Sequence, residues 1–302
     1  MSIEQIKIWI KAARLRTLPL SISGIVAGNA LGVQDSNFSW LLFFLMLLTA
    51  IAFQIVSNFA NDYGDGVKGT DNANRVGPQR VFQSGLLTRK TLKKGIVYTA
   101  VVSIFLAITL IYTAFGKDSW LYFTVFFGLA IGSVWAAISY TVGEKAYGYR
   151  GLGDLFVFIF FGMISVVGSS FLQLKVISTP SILLSLVLGL LSVAVLNLNN
   201  MRDRESDAAV GKRTFAVLLG AQGAKYYHYT LILGACGILG FFFIQQTTAF
   251  YWLTLIGLIP LLFHLAVVIQ NKDPKRLDPE LKKVALSTFV LSILIFISFF
   301  LS

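Results

Sequence analysis

Three observations predict an all-α fold, a polytopic membrane bundle of nine transmembrane helices. The 302-residue chain is 56% hydrophobic and only 13% charged, and its mean hydropathy of +0.75 lies outside the range of soluble globular domains. Apolar runs of about twenty residues recur along its whole length, the size a helix needs to cross roughly 30 Å of hydrocarbon. The basic residues segregate to alternate connections between those runs, as a chain threaded through a bilayer requires. Such runs must be helical, because lipid offers unpaired backbone groups no partner.

The elements follow in order. Residues 1–16 place Ile3, Ile6, Trp9 and Ile10 at helical spacing with Lys7, Lys11, Arg14 and Arg16 between them, a pattern that predicts an interfacial helix on an anionic lipid surface. No small-residue cleavage site follows, so this is not read as a signal peptide. Spans are expected over 17–34, 39–61, 95–115, 119–140, 151–172, 179–200, 226–245, 249–270 and 284–302. Of the 25 Lys and Arg, all but Lys117 and Lys175 then fall on one side. That side is the cytoplasm by the positive-inside rule, which puts the N-terminus there and the C-terminus opposite. The net charge of +11 thus follows topology and forms no separate basic domain, which removes nucleic acid as a partner. The chain reads as one integral-membrane domain, 1–302, with long cytoplasmic loops at 62–94 and 201–225. Cys236 lies alone in an apolar run, so no intramolecular disulfide or cysteine metal site is expected.

The carboxylates are unevenly spent. Asn58 to Asp71 (NFANDYGDGVKGTD) and Asn197 to Thr214 (NLNNMRDRESDAAVGKRT) hold six of the 14 acidic residues. Both stretches begin with Asn-x-x-Asn at the end of an apolar run, on the cytoplasmic side, which hints at a repeat of four-helix units. Asn61 and Asp65 are one helical turn apart, as are Asn199 and Asp203, and Asp203 and Asp207, so each set shares a helix face. Carboxylates gathered in this way repel one another unless a cation is present. An oxygen-only donor set without His or Cys favours a hard ion such as Mg²⁺ over zinc. The neighbouring Lys68, Arg75, Arg80, Lys212 and Arg213 suit a phosphorylated ligand. Gly64, Gly66 and Gly69 fit a backbone that bends sharply or approaches something closely.

Tyr140, Lys145, Tyr147 and Arg150 sit in a third cytoplasmic loop and either complete this polar site or serve as topology charges and aromatic anchors. Asp154, at the edge of the fifth span, reads as a helix cap. His228 and His264 sit singly in their spans and read as histidines that pack or hydrogen-bond locally rather than catalyse. Walker A, Rossmann, Gly-x-Ser-x-Gly and HExxH patterns are absent.

At these residues the chain resembles the UbiA superfamily of intramembrane prenyltransferases. The family's first Asp-rich motif matches Asn61, Asp65 and Asp71, and its second matches Asp203 and Asp207, preceded by Asn199 and Asn200. Arg80-Val-Phe-Gln-Ser84-Gly85 and Gly211-Lys212-Arg213-Thr214 resemble the sequences that follow the two motifs. NDYGDGVKGTD together with YTVGEKAYGYRGLGD is most similar to the branch acting on 1,4-dihydroxy-2-naphthoate. In the opening ARLRTLPLS, Leu15 stands where that branch usually has Pro. The 4-hydroxybenzoate branch places its second Asp closer than Asp71 is to Asp65.

The resemblance implies that Asn61, Asp65, Asp71, Asn199, Asp203 and Asp207 hold Mg²⁺. Lys68, Arg80, Lys145, Lys212 and Asn200 would bind the diphosphate of a polyprenyl donor, with Tyr140 and Lys145 beside the reacting groups and Asp62 a solvated or supporting neighbour. The aromatic acid acceptor and membrane lipid are the other implied partners, and the implied location is a bacterial cytoplasmic (inner) membrane. Acceptors of the 4-hydroxybenzoate or homogentisate type remain open. A secondary transporter is the rival class, but its site would be expected near the membrane midplane.

Overall fold

The computed structural model describes residues 2–71, 76–117, 119–245 and 252–302. Arg75, expected near the phosphate, lies outside them. All regular structure among the described residues is helical. Helix α1 (Ile3–Ala13) opens with a capping box between Ser2 and Gln5. It packs Trp9 against Phe59, with ring centroids 5.1 Å apart, and leaves Ile3, Ile6 and Ile10 exposed.

Among the described residues, eight helices are long and apolar enough to cross a membrane: α3 (Trp40–Val67), α4 (Arg89–Phe115), α5 (Trp120–Ser139), α6 (Gly153–Leu174), α7 (Thr179–Arg202), α9 (Phe215–Ile244), α10 (Leu253–Gln270) and α11 (Pro274–Leu301). The first expected span instead forms α2 (Leu18–Ala30), started by Pro19 and only 13 residues long. At 1.5 Å per residue this helix covers about 20 Å, less than the hydrocarbon thickness. Between α7 and α9 lies a short helix, α8 (Arg204–Ala209).

Starts are set by hydroxyl caps, as helix physics requires. Ser39 accepts from the Leu42 amide of α3, Thr88 from Thr91 of α4, Ser178 from Ser181 of α7 and Thr214 from Val217 of α9. Helix α7 is the most buried of the eight and packs against α2, α6, α9 and α11. Small residues permit the closest crossings. A Cβ on Gly24 would stand 2.0 Å from Ser165 Oγ, and one on Gly28 2.1 Å from Ser169 Oγ, a small-residue contact between α2 and α6 of the kind membrane helices favour. Helix α6 widens to π geometry over Phe158–Val167.

Two expectations change. The second span does not end at residue 61, because α3 continues to Val67. Asp62 and Asp65 are therefore helical and buried, where a loop was expected. His228 and His264 do hydrogen-bond, as one of their two readings has it, but they are not solitary: their Nε2 atoms lie 2.8 Å apart, and His264 Nδ1 bonds Glu280. This buried relay joins α9, α10 and α11, and none of its members lines the site described next.

Candidate active site

The extension of α3 brings motif one to its place. At Gly64 a Cβ would sit 2.4 Å from Thr141 Oγ1, and at Gly66 one would sit 2.1 Å from the Phe82 ring. Glycine at both positions lets the α5–α6 loop and the segment after residue 76 close onto the helix end. Gly69, with φ +72°, turns the chain so that Thr70 and Asp71 fold back, and both of their amides donate to the Asp65 carbonyl. The Phe82 amide donates to Asp62 Oδ1 at 3.2 Å. Asp62 is thus a buried anchor for the Arg80 segment: of its two expected roles, solvated or supporting, the supporting one holds.

One pocket is lined by Asp65, Thr70, Asp71, Arg80, Asn199, Asp203, Ser206, Asp207 and Lys212. It unites the two polar stretches, and Asp65 and Asp203 share it. In motif one, Arg80 reaches between two carboxylates: Nη1 is 2.9 Å from Asp65 Oδ2 and Nε is 3.1 Å from Asp71 Oδ2. Its Nη1 also donates to the Asn61 carbonyl at 2.7 Å. Burial disfavours the Arg80 cation, but Asp65, Asp71, Asp62 and Asp203 outweigh it and hold the guanidinium above its ordinary pKa. That Asp203 acts on Arg80 places the two motifs within electrostatic reach.

In motif two the helix breaks at Asp203 (φ −95°, ψ 7°), between α7 and α8. Arg202 forks onto Asp203, with Nε to Oδ1 at 2.9 Å and Nη2 to Oδ2 at 2.7 Å. Lys212 Nζ lies 3.2 Å from Asp207 Oδ1. Burial raises the Asp207 pKa against the opposing pull of Lys212.

Most of the expected residues converge here, but not all. Asn61 turns its side chain to Ser57 and Thr141 and offers Arg80 only its carbonyl. Asn200 is buried and does not line the pocket. Lys68 stands 3.9 Å over the Tyr149 ring, and burial lowers its pKa against the pull of Asp65. Tyr140 is raised by burial and by Asp65, Asp154 and Asp207, so it looks onto the same charges. Lys145 is exposed and does not line the pocket. Asp154 is buried and accepts from Tyr227 at 3.4 Å, without the side-chain cap expected of it.

Sequence reasoning missed Tyr149, whose hydroxyl donates to Asp65 Oδ1 at 2.8 Å and meets Thr70 Oγ1. It also missed Arg202 and Ser206. Tyr149 lies one residue from Arg150 in the loop already singled out, and Arg202 directly precedes a predicted ligand.

The donor set fits a hard cation. Asp207 Oδ2 and Asn200 Oδ1 are buried with no hydrogen-bond partner among the described residues, which is costly unless something else binds them. No three His, Cys, Asp or Glu side chains among those residues converge tightly enough to enclose an ion. The arrangement suits an ion such as Mg²⁺, held by one or two carboxylates and completed by phosphate oxygens.

The model of the UbiA prenyltransferase family matches residues 21–299. A 1,4-dihydroxy-2-naphthoate octaprenyltransferase of Haemophilus influenzae is 41% identical over 296 residues, 96% of this chain and 95% of that protein. A protein of the same description from Escherichia coli is 37% identical over 302 residues, covering 99% and 97%. Among solved structures, a UbiA homolog from Archaeoglobus fulgidus bound to GPP and Mg²⁺ superposes with a TM-score of 0.69 at 14% identity, over 97% of this chain and 98% of that one. The apo UbiA homolog from Aeropyrum pernix gives 0.68 at 14%, over 94% and 96%. Both share the fold.

Proposed function

We propose a reaction that starts from one premise, that the chain belongs to the UbiA prenyltransferase family. It is a multi-pass membrane enzyme that transfers a polyprenyl group from a polyprenyl diphosphate to 1,4-dihydroxy-2-naphthoate. CO₂ and diphosphate are lost, giving a demethylmenaquinol, with the ring kept at the quinol oxidation level. The acceptor follows from the near full-length identity to relatives so described. The observation that carries the chemistry is the pocket in which Asp65, Asp71, Asp203 and Asp207 meet Arg80 and Lys212.

Asp65, Asp71, Asp203 and Asp207, with Asn199 and Asn200 beside them, would hold Mg²⁺, with Asn61 joining them if its side chain turns. When bound, the ion supplies charge neutralisation that makes diphosphate a better leaving group. The chain's own residues do the rest. Lys68, Arg80 and Lys212 set positive charge where negative charge develops on the departing oxygens, in a site largely shielded from water. Arg80 is already desolvated and paired, so diphosphate exchanges one set of anionic partners for another without exposing the guanidinium. Tyr140 and Tyr149 stay protonated beside Asp65 and so remain available as hydrogen-bond donors. The C–O bond to diphosphate breaks, the electron-rich ring attacks the allylic carbon, and the apolar helices keep water from that cation.

The charge asymmetry of the loops supports nine crossings in the bacterial cytoplasmic membrane, with α2 as a shortened first crossing and the pocket facing the cytoplasm. The N-terminal helix then lies at that interface with Ile3, Ile6 and Ile10 toward lipid. The test is to incubate membranes with Mg²⁺, a polyprenyl diphosphate and either 1,4-dihydroxy-2-naphthoate or 4-hydroxybenzoate. Prenylated naphthoquinol should form, and should be lost in Asp65→Ala and Asp203→Ala. Product from 4-hydroxybenzoate alone would overturn the acceptor, and undiminished activity in both variants would overturn the site.

A further inference from the structure

Arg202 is buried, at 3% exposure, yet it does not line the pocket. Its guanidinium nevertheless organises three other side chains. Beyond the two bonds to Asp203, Nη2 donates to Asn199 Oδ1 at 2.8 Å. Nη1 pairs with Asp278 Oδ1, in the first turn of the regular α-helical part of α11, Leu277–Leu301. Consecutive residues on a helix do not face each other, so the fork onto Asp203 exists only because the helix breaks there. Both Asn199 and Asp203 line the pocket, and the planar guanidinium fixes the orientation of each.

The charge count gives Asp278 a purpose. A buried Arg202–Asp203 pair alone would be neutral, and a neutralised carboxylate is a poor ligand for a cation. With Asp278 sharing the guanidinium, the trio keeps one net negative charge. The Asp65–Arg80–Asp71 trio has the same composition. We infer that Arg202 and Asp278 are positioning residues for the cation–diphosphate site, with Arg202 aiming Asp203 and Asn199 and Asp278 restoring the charge Arg202 would cancel. This rests on the prenyl-transfer reading.

The test measures binding of Mn²⁺ in the presence of inorganic diphosphate, from the loss of the electron paramagnetic signal of free Mn²⁺, on the solubilised full chain. Asp278→Asn lies at a part-exposed helix start, with 39% of its side chain accessible, and should weaken Mn²⁺ binding about fivefold through the charge left on Arg202. Arg202→Lys keeps the charge but loses the fork, and should weaken binding at least as much. In both variants KM for the aromatic acid should stay unchanged. Mn²⁺ binding as in the wild type in both would overturn the inference. Asp203→Ala separates this failure from that of the site itself: if Asp203→Ala loses Mn²⁺ and the other two do not, only the positioning inference falls. If Asp203→Ala also binds as the wild type, the prenyl-transfer site falls with it.

Discussion

The two Asp–Arg–Asp trios have the same charge but are assembled in opposite ways. In motif two the arginine is local, the neighbour of Asp203, and the distant member is the carboxylate Asp278. In motif one both carboxylates, Asp65 and Asp71, belong to one helix end and its return turn, and the distant member is Arg80. Arg80 arrives on a non-helical segment held by amide bonds from Phe82 and Val81 to Asp62 and by the fit of the Phe82 ring over Gly66. Motif two is thus built into a helix junction, whereas motif one depends on a loop being closed. Both of motif one's carboxylates and Arg80 line the pocket, whereas only one carboxylate of the second trio does. The loop-dependent trio is the one placed to exchange its arginine for substrate.

The largest test of that asymmetry is Arg80→Ala. It leaves Asp65 and Asp71 buried near each other without their shared cation. Removing one partner of a buried ion pair costs about 3–5 kcal/mol, so the thermal midpoint should fall sharply. Prenyl transfer should fall by at least about 10²-fold, the scale for losing one preorganised charge-stabilising donor. A melting curve and a turnover assay on the same preparation check both. Gly66→Ala comes next: the added Cβ meets the Phe82 ring and pushes away the segment that carries Arg80. We expect a loss in kcat/KM of up to about 10²-fold, the scale on which a misplacement of about 1 Å is felt. Asp62 should be uncovered too, so hydrogen exchange at the Phe82 amide should speed up. Unchanged exchange with unchanged rate would show that the loop is not held through Gly66.

The contrast also shows where a sequence stops being readable. Long apolar runs, the alternation of Lys and Arg and the pairing of Asn with Asp one turn apart are local patterns, and they yielded the helical membrane class and the meeting of Asp65 with Asp203. The end of α3 was misjudged because polarity rose at residue 61 while the helix ran on to Val67. Composition reports where lipid ends, and hydrogen bonding decides where a helix ends. The first expected span was legible as an apolar run but not as a 13-residue helix packed on α6 and α11. Arg202 and Tyr149 were passed over because a cation beside an acid, or a tyrosine in a loop, carries no signal until the chain is folded. Asp278 lies 76 positions from its partner, and no local pattern could have joined them.

Tyr149→Phe is a smaller probe of motif one. It removes the bond to Asp65 and the contact with Thr70 but keeps the ring beneath Lys68. A single hydrogen bond to a charged group is worth about 1.5–3 kcal/mol. Asp65 retains Arg80, so the loss in kcat/KM should lie near the lower end, about tenfold. Tyr149→Leu, which also removes the ring, should lose more, and the difference measures the Lys68 contact.

Lys145→Ala should have the smallest effect. Its charge was expected at the diphosphate, yet it stands exposed in the α5–α6 loop, outside the pocket that Arg80 and Lys212 share. An exposed charge acts on the site only through solvent, where interactions beyond about 8–10 Å are screened. KM for the polyprenyl diphosphate should therefore stay within about twofold of wild type, with any difference vanishing as salt is raised. Lys212→Ala in the same assay should raise that KM by at least about tenfold, because its ammonium is buried against Asp207 and its loss leaves a desolvated carboxylate unpaired. If Lys145→Ala proved the more damaging of the two, the α5–α6 loop would have to close over bound diphosphate, and the site would depend on a third mobile charge in addition to the two trios.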